Sequence, residues 1–246
     1  MYSVFTSHLL SLGVRRGEVL LVHSSLRSLG PLAGGAEAVI AGLVEALGPD
    51  GTLLMPALSY ASVTPANPSF DVRTTPSCVG ALPEYFRTRP GTLRSIHPTH
   101  SVCASGRLAS DLVSGHALDS TPCGPHSPFS LLPGLGGQIL LLGCGLKPNT
   151  SMHGVEELIE PPYLFGDPIT YTILTADGSE SQMTVRSHNF KGYAQRYDHI
   201  SALLSPPALL NGQVLQANCF LLEASAMWPA ALHALQDDPF YFVEPL

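Results

Sequence analysis

Four residues in one short stretch could do chemistry together. Thr150, Ser151, His153 and Glu156 lie in Asn149-Thr150-Ser151-Met152-His153-Gly154-Val155-Glu156-Glu157. His153 and Glu156 are three residues apart, so a helix would carry both on one face. A carboxylate beside an imidazole fixes its tautomer and stabilises the imidazolium, which is what a general base needs. Thr150 and Ser151 add hydroxyls and helix-start amides able to steady an oxyanion. The same pattern also fits an N-cap followed by a surface His–Glu pair. H-x-x-E recurs widely, and spacing alone leaves both readings open.

Two other stretches are candidates for ligand contact. In His23-Ser24-Ser25-Leu26-Arg27-Ser28-Leu29-Gly30, successive amides with Arg27 and serine hydroxyls would make a phosphate cradle. Gly34 and Gly35 just beyond would admit a ligand close to the backbone. Neither G-x-x-x-x-G-K-[ST] nor G-x-G-x-x-G occurs, and an ordinary strand-to-helix connection is the plainer alternative. His97-Pro98-Thr99-His100-Ser101-Val102-Cys103 has metal-like H-x-x-H-x-x-C spacing, with His116, Cys123 and His126 further on. Pro98 interrupts it and no H-E-x-x-H or paired C-x-x-C supports it, so the expectation is a ligand-contacting loop and no metal. Cys144 follows an apolar run nine residues before His153, but fits inert packing better than an acyl-carrying nucleophile.

These groups need elements to hold them. EVLLVH (18–23), GTLLMP (51–56) and QILLLG (138–143) are near-continuous apolar runs, the mark of strands covered on both faces. Leu9, Leu10 and Leu12 fit an opening helix closed by Gly13. Val39, Leu43, Val44 and Leu47 fit a second, ended by Gly48. Strand, helix, strand in that order predicts a parallel crossover. Residues 59–133 are rich in Pro, Gly, Ser, Thr and His, and read as binding loops with helices at 78–88 and 107–116. A helix is expected to start at 149–151. ITYTIL (169–174) and SQMTVR (181–186) predict a hairpin turning at Asp177-Gly178, and residues 224–235 a closing helix. No linker or repeat appears, so residues 1–246 are expected to form one domain.

Composition narrows the function classes. In 246 residues, 13% are charged and 45% hydrophobic, which excludes disorder. A net charge of −7 with only two lysines, Lys147 and Lys191, argues against a nucleic-acid binder. No run reaches the roughly 18 apolar residues that span a bilayer, and the start, MYSVFTSHLL, lacks a secretory pattern. Five scattered cysteines suit reduced thiols, so a cytoplasmic location is expected.

Taken in order, VHSSLRSLGPLAGGAEAVIAGL, LGPDGTLLMPALSY, FDVRTTPSCVGALPEYFRTRPGTLRSIHPTHSVCASG, HALDSTPCGPHSPFSLL and LLLGCGLKPNTSMHGVEE resemble the aminoglycoside 3-N-acetyltransferase family of antibiotic N-acetyltransferases. They cover most of residues 18–160. The resemblance implies a three-layer α/β/α fold with a central mixed sheet, unlike the splayed-sheet acetyltransferase superfamily. It implies transfer of the acetyl group of acetyl-CoA to the 3-amino group of an aminoglycoside, without a metal. His153 matches the family's catalytic histidine in N-T-S-x-H-x-x-E, and Glu156 its partner carboxylate. His23, Ser24, Ser25, Leu26, Arg27 and Ser28 match the loop holding the CoA pyrophosphate, and Gly34 and Gly35 just beyond are expected to contact the cofactor too. Arg94, Ser95, His97, Pro98 and Ser101 match the R-S-x-H-P-x-x-S stretch lining the CoA and acyl region.

After residue 160 the resemblance thins. Tyr60, Asp71, Glu157, Glu160 and His188 are the expected acceptor contacts, with Asp167 a further carboxylate. Arg186, Lys191 and Arg196 would repel a polycation if they faced the pocket. The expected partners are CoA and a small amine, with neither nucleic acid nor membrane, and homodimerisation left open. The alternatives are acyl transfer to a non-aminoglycoside amine, a metal-dependent hydrolase built on His97, His100 and Cys103, and a non-catalytic binding protein.

Overall fold

The computed structural model describes residues 3–246. The chain runs α1 (Val4–Leu12), β1 (Val19–Ser24), α2 (Gly35–Leu47), β2 (Thr52–Pro56), β3 (Ser69–Asp71), α3 (Ala81–Thr88), β4 (Leu93–Arg94), β5 (Val102–Gly106) and α4 (Ala109–Ser114). It continues through α5 (Pro128–Leu131), β6 (Gln138–Leu142), α6 (Ser151–Glu157), β7 (Phe165–Leu174), β8 (Glu180–His188) and β9 (Tyr193–Gln195). It closes with β10 (Leu209–Val214), β11 (Ala217–Glu223), α7 (Ala224–Asp237) and β12 (Val243–Pro245).

Seven strands form the central sheet in the order β10-β11-β6-β1-β2-β5-β4. β6, β1 and β2 are parallel, while β11 and β5 flank them antiparallel, so the sheet is mixed. The apolar runs follow from burial on both faces. In β1, Val19 and Leu21 join a core with α4, α5, α6 and α7. Leu20 and Val22 join the opposite core with α1, α2 and α3. That alternation makes the three layers, and it puts His23 on the α6 side of the sheet. β1 sits between β2 and β6, so the crevice at the ends of β1 and β6 is a topological switch point, where open α/β sheets bind ligands.

Two smaller sheets cover this crevice. β3-β7-β8 carries His188 at its end, and β9 pairs with β12. A short stretch of 3-10 helix, Tyr197–Ala202, delivers Tyr197. Two close approaches fix the local packing. A Cβ at Gly143, whose φ is +73°, would lie 2.7 Å from Ser28. One at Gly154 would lie 2.5 Å from the Trp228 ring, so α6 can press against α7 only through a glycine.

The crossover, the three buried strands, the hairpin and the closing helix form where the sequence predicts them. The central loop region differs: it contributes β3, β4 and β5, and β5 is an interior strand of the main sheet. Small residues in Val-Cys-Ala-Ser-Gly hide it. β10 and β11 also lie outside the sequence expectations, although they form one edge of the sheet. Among the described residues no helix is long and apolar enough to cross a membrane, and all five cysteines are free.

Candidate active site

His153 and Glu156 lie one turn apart on α6, as their spacing requires. Glu156 is fully buried. Its Oε1 accepts from the Tyr163 hydroxyl at 2.8 Å and its Oε2 from the Tyr197 hydroxyl at 2.5 Å, with His153 Nδ1 3.3 Å away. Tyr197 Oη also lies 2.6 Å from His153 Nδ1. A tyrosine has one proton, and beside an ionised carboxylate it gives that proton to Glu156. The proton between Tyr197 and His153 is therefore the imidazole's, on Nδ1, leaving Nε2 with its lone pair. Burial and the Glu156 charge push both tyrosine hydroxyls above their ordinary range, which keeps them donors.

His153 borders a cavity of about 430 Å³ with Tyr60, His100, Lys147, Thr150, His188 and Tyr197 among its walls. A smaller cavity of about 90 Å³ lies at the end of β1, against His23, Ser24 and Cys144. Val79, Pro148 and Thr150 line both, so the two spaces abut. His23 Nε2 and Ser24 Oγ are buried without a hydrogen-bond partner among the described residues. Burial first, then the charge of His153, lowers the His23 pKa to about 3. Burial pushes the Cys144 thiol to about 12, which removes it as a nucleophile at neutral pH.

Other expected contacts stand elsewhere. Ser151 Oγ accepts from Trp228 Nε1 at 2.9 Å and borders neither cavity, so of the two hydroxyls only Thr150 faces the site. The amides of Ser25, Ser28 and Gly30 are bonded to Leu142, Ser25 and Arg27 carbonyls, and Ser28 Oγ to Gly143. Those donors leave the expected phosphate cradle; Arg27, Gly34 and Gly35 are exposed and border neither cavity.

Arg94 bonds the carbonyls of Ala57, Thr75 and Val72 and the Ser101 hydroxyl, and stacks 4.7 Å over Phe70. His97 Nδ1 accepts from the Thr99 and His100 amides, and the Pro98 carbonyl from Ser59. This loop is a brace, and the residue it presents to the cavity is His100.

Asp71 caps its own turn through the Arg73 and Thr74 amides. Glu160 pairs with Arg186. Glu157 holds His188 Nε2, Thr121 and the Cys123 amide, and burial raises its pKa to about 7. Among the described residues no carboxylate lines the larger cavity, which corrects the expectation for all three. The expected repulsion is corrected too: Arg186 meets Glu160, Arg196 meets Asp198 and Glu244, and Lys191 reaches the Pro162 carbonyl.

The cation that does line the cavity is Lys147. Cys103 packs in the core beside Leu82 and Phe86, so it forms no metal set with His97 and His100. Sequence reasoning misses Tyr163 and Tyr197; their only signal is an aromatic within reach of a helix bearing a buried carboxylate.

A mixed sheet with an imidazole on a buried carboxylate, bordering a cavity at the ends of its parallel strands, defines the site of an α/β protein. Residues 21–236 match the family model described as aminoglycoside 3-N-acetyltransferase. Aminoglycoside N(3)-acetyltransferase IV of Salmonella sp is 36% identical over 243 residues, 96% of this chain and 88% of that protein. Aminoglycoside N(3)-acetyltransferase VIII of Streptomyces fradiae is 35% identical over 169 residues, 62% of this chain and 59% of that protein.

Among solved structures, a histidine-to-alanine mutant of AAC(3)-IVa in complex with a gentamicin superposes with TM-score 0.83 at 33% identity, covering 98% of this chain and 90% of that one. AAC-IIIb, binary with CoASH, superposes with TM-score 0.82 at 26% identity, covering 95% of each chain. The chain belongs to the aminoglycoside 3-N-acetyltransferase family, an acyltransferase class.

Proposed function

We propose that this enzyme transfers the acetyl group of acetyl-CoA to the 3-amino group of an aminoglycoside, with His153 as general base. The observation that carries the reading is geometric: His153 Nδ1 lies against Glu156 and Tyr197 while His153 lines the cavity, an arrangement that leaves the Nε2 lone pair for a substrate proton. There it can take the proton an amine loses on attack, while ionised Glu156 stabilises the imidazolium.

The fit to CoA rests on the β1 end. His23 Nε2 and Ser24 Oγ are buried polar atoms without a partner among the described residues, beside a narrow space that meets the larger cavity at Thr150. A thioester arm with its amides suits such a passage. Acetyl-CoA supplies the activated acyl carbon; Thr150 offers a hydroxyl at the junction for the developing negative charge. The walls hold the reactants together and exclude water.

A second reading, transfer to an amine of lower charge, rests on one observation: among the described residues no carboxylate lines the cavity and Lys147 does. Thiol release from acetyl-CoA, measured against a panel of aminoglycosides and simple amines, tests both. Turnover with aminoglycosides carrying a 3-amino group is expected. Turnover with simple amines alone would establish the second reading, and thiol release with neither would remove both.

A further inference from the structure

The cavity walls hold a second constellation. His100, His153 and His188 come from three separate segments, and one ligand nitrogen from each lies within 4.8 Å of the others. Their ring centroids are 5.9, 5.2 and 4.9 Å apart, pair by pair. Each ring is held from behind. His100 Nδ1 meets Thr99 Oγ1 at 2.9 Å, His153 Nδ1 meets Tyr197 and Glu156, and His188 Nε2 donates to Glu157 at 2.7 Å. Metal-binding histidines are anchored in the same way, one nitrogen on an outer oxygen and the other toward the ion. The His188 side chain is 3% exposed, yet its Nδ1 has no hydrogen-bond partner among the described residues. A buried acceptor without a donor calls for a ligand.

We propose that His100 Nε2, His153 Nε2 and His188 Nδ1 form a binding site for a divalent first-row transition metal of the zinc type, and that occupancy inhibits the enzyme. Three imidazoles with no carboxylate facing them select zinc, copper, nickel or cobalt over magnesium and calcium. Zinc–nitrogen bonds of about 2.0–2.1 Å set tetrahedral nitrogen separations near roughly 3.3–3.4 Å. The imidazoles therefore need to close by up to about 1.5 Å, within reach of side-chain rotation. The fourth position faces the cavity and is left to water or an anion. Inhibition follows from the base assignment and rests on it: a metal on His153 Nε2 uses the lone pair that would accept the amine proton. Metal binding itself does not depend on that assignment.

Two direct probes test the site on the full-length enzyme. Zinc is followed by equilibrium dialysis, and cobalt(II) by its visible absorption, which is strong only for tetrahedral coordination. The expectation is one ion per chain, a tetrahedral cobalt spectrum, and affinity weakened at least tenfold in folded His100→Asn and His188→Asn. His233→Asn, at an exposed histidine (side chain 78% exposed), should bind as wild type does. Absence of stoichiometric zinc and of a tetrahedral cobalt spectrum in wild type overturns the site, whether or not the variants fold. So does a folded His188→Asn that binds as tightly as wild type. Zinc should also block acetyl transfer reversibly, with chelator restoring it. If zinc binds at the three histidines and turnover continues, the inhibition and the base role of His153 fall while the metal site stands.

Discussion

Two strand ends face the same crevice and are finished in opposite ways. After β6, the chain turns into α6 and nearly every polar group is answered: Glu156 by two tyrosines, His153 by Glu156 and Tyr197, Ser151 by Trp228. After β1, Ser25 and Ser28 tie the loop to the β6 end, while His23 Nε2 and Ser24 Oγ remain buried and unpartnered among the described residues. Burying a polar group without a partner costs roughly 1–3 kcal/mol, so His23 Nε2 and Ser24 Oγ are the groups at this crevice with hydrogen bonds still to make among the described residues. A saturated network holds one side chain in one orientation, which suits a group that must deliver a lone pair. An unsaturated one gains its missing bonds from a ligand. The contrast separates a region built to be rigid from one built to be completed.

The largest effect should come from removing the group that the rigid end holds. His153→Ala should lower the acetyl-transfer rate by about 10²–10⁴-fold, the usual loss for a general base. CoA binding, measured by calorimetry, should survive. Turnover above half the wild-type value would remove His153 from the chemistry.

Titration probes the other end. His23 has its folded pKa lowered to about 3, while the unfolded chain takes up that proton near its ordinary 6.5. Between those values the unfolded state binds more protons, so the contribution to stability is fully present above about 6.5. It is lost as pH falls toward 3. At pH 4 the loss from this one imidazole is on the order of 3 kcal/mol. Urea unfolding of wild type and His23→Asn from pH 7 to 4 should show the shallower pH dependence in the variant; equal slopes would mean that His23 does not titrate this way.

The difference between the ends also marks what the sequence could reveal. β1 and β6 announce themselves because burial on both faces demands unbroken apolar runs, and the i, i+3 spacing brings His153 and Glu156 together with no further information. Tyr163 and Tyr197 reach Glu156 from 7 and 41 residues away, and no local pattern encodes a partner that the packing of separate segments selects. Arg94 and His97 look like ligand contacts because they are polar residues in a loop. The donors of Arg94 are answered by carbonyls of neighbouring turns and the Ser101 hydroxyl, and His97 Nδ1 by the Thr99 and His100 amides, and only coordinates show that. The same holds for Asp71, Glu157 and Glu160, each paired before it could reach the cavity.

Tyr197→Phe sharpens the account of the rigid end. The ring still packs, but His153 Nδ1 loses its closest partner and keeps the longer 3.3 Å contact to Glu156. A hydrogen bond within a charged network is worth about 1.5–3 kcal/mol, so the rate should fall by roughly tenfold or more, well short of His153→Ala. The pH profile of the rate should shift and KM for the amine should hold. Unchanged rate and profile would show that Glu156 alone positions the imidazole.

The smallest expected effect is the most discriminating, because its two readouts move in opposite directions. Ser24→Ala removes a buried hydroxyl that has no partner among the described residues, at the wall of the narrow cavity. In the free protein that deletion lifts a desolvation burden and breaks no bond within the described structure. Stability should hold or rise by up to about 1 kcal/mol in urea unfolding. If the hydroxyl exists to bond CoA, the same deletion should weaken CoA binding by about 1 kcal/mol, roughly fivefold, in calorimetric titration. A serine that merely supports the strand end would lose stability and leave CoA affinity alone. That result would take the β1 end out of the CoA path and make the contrast between the two strand ends one of packing rather than of function.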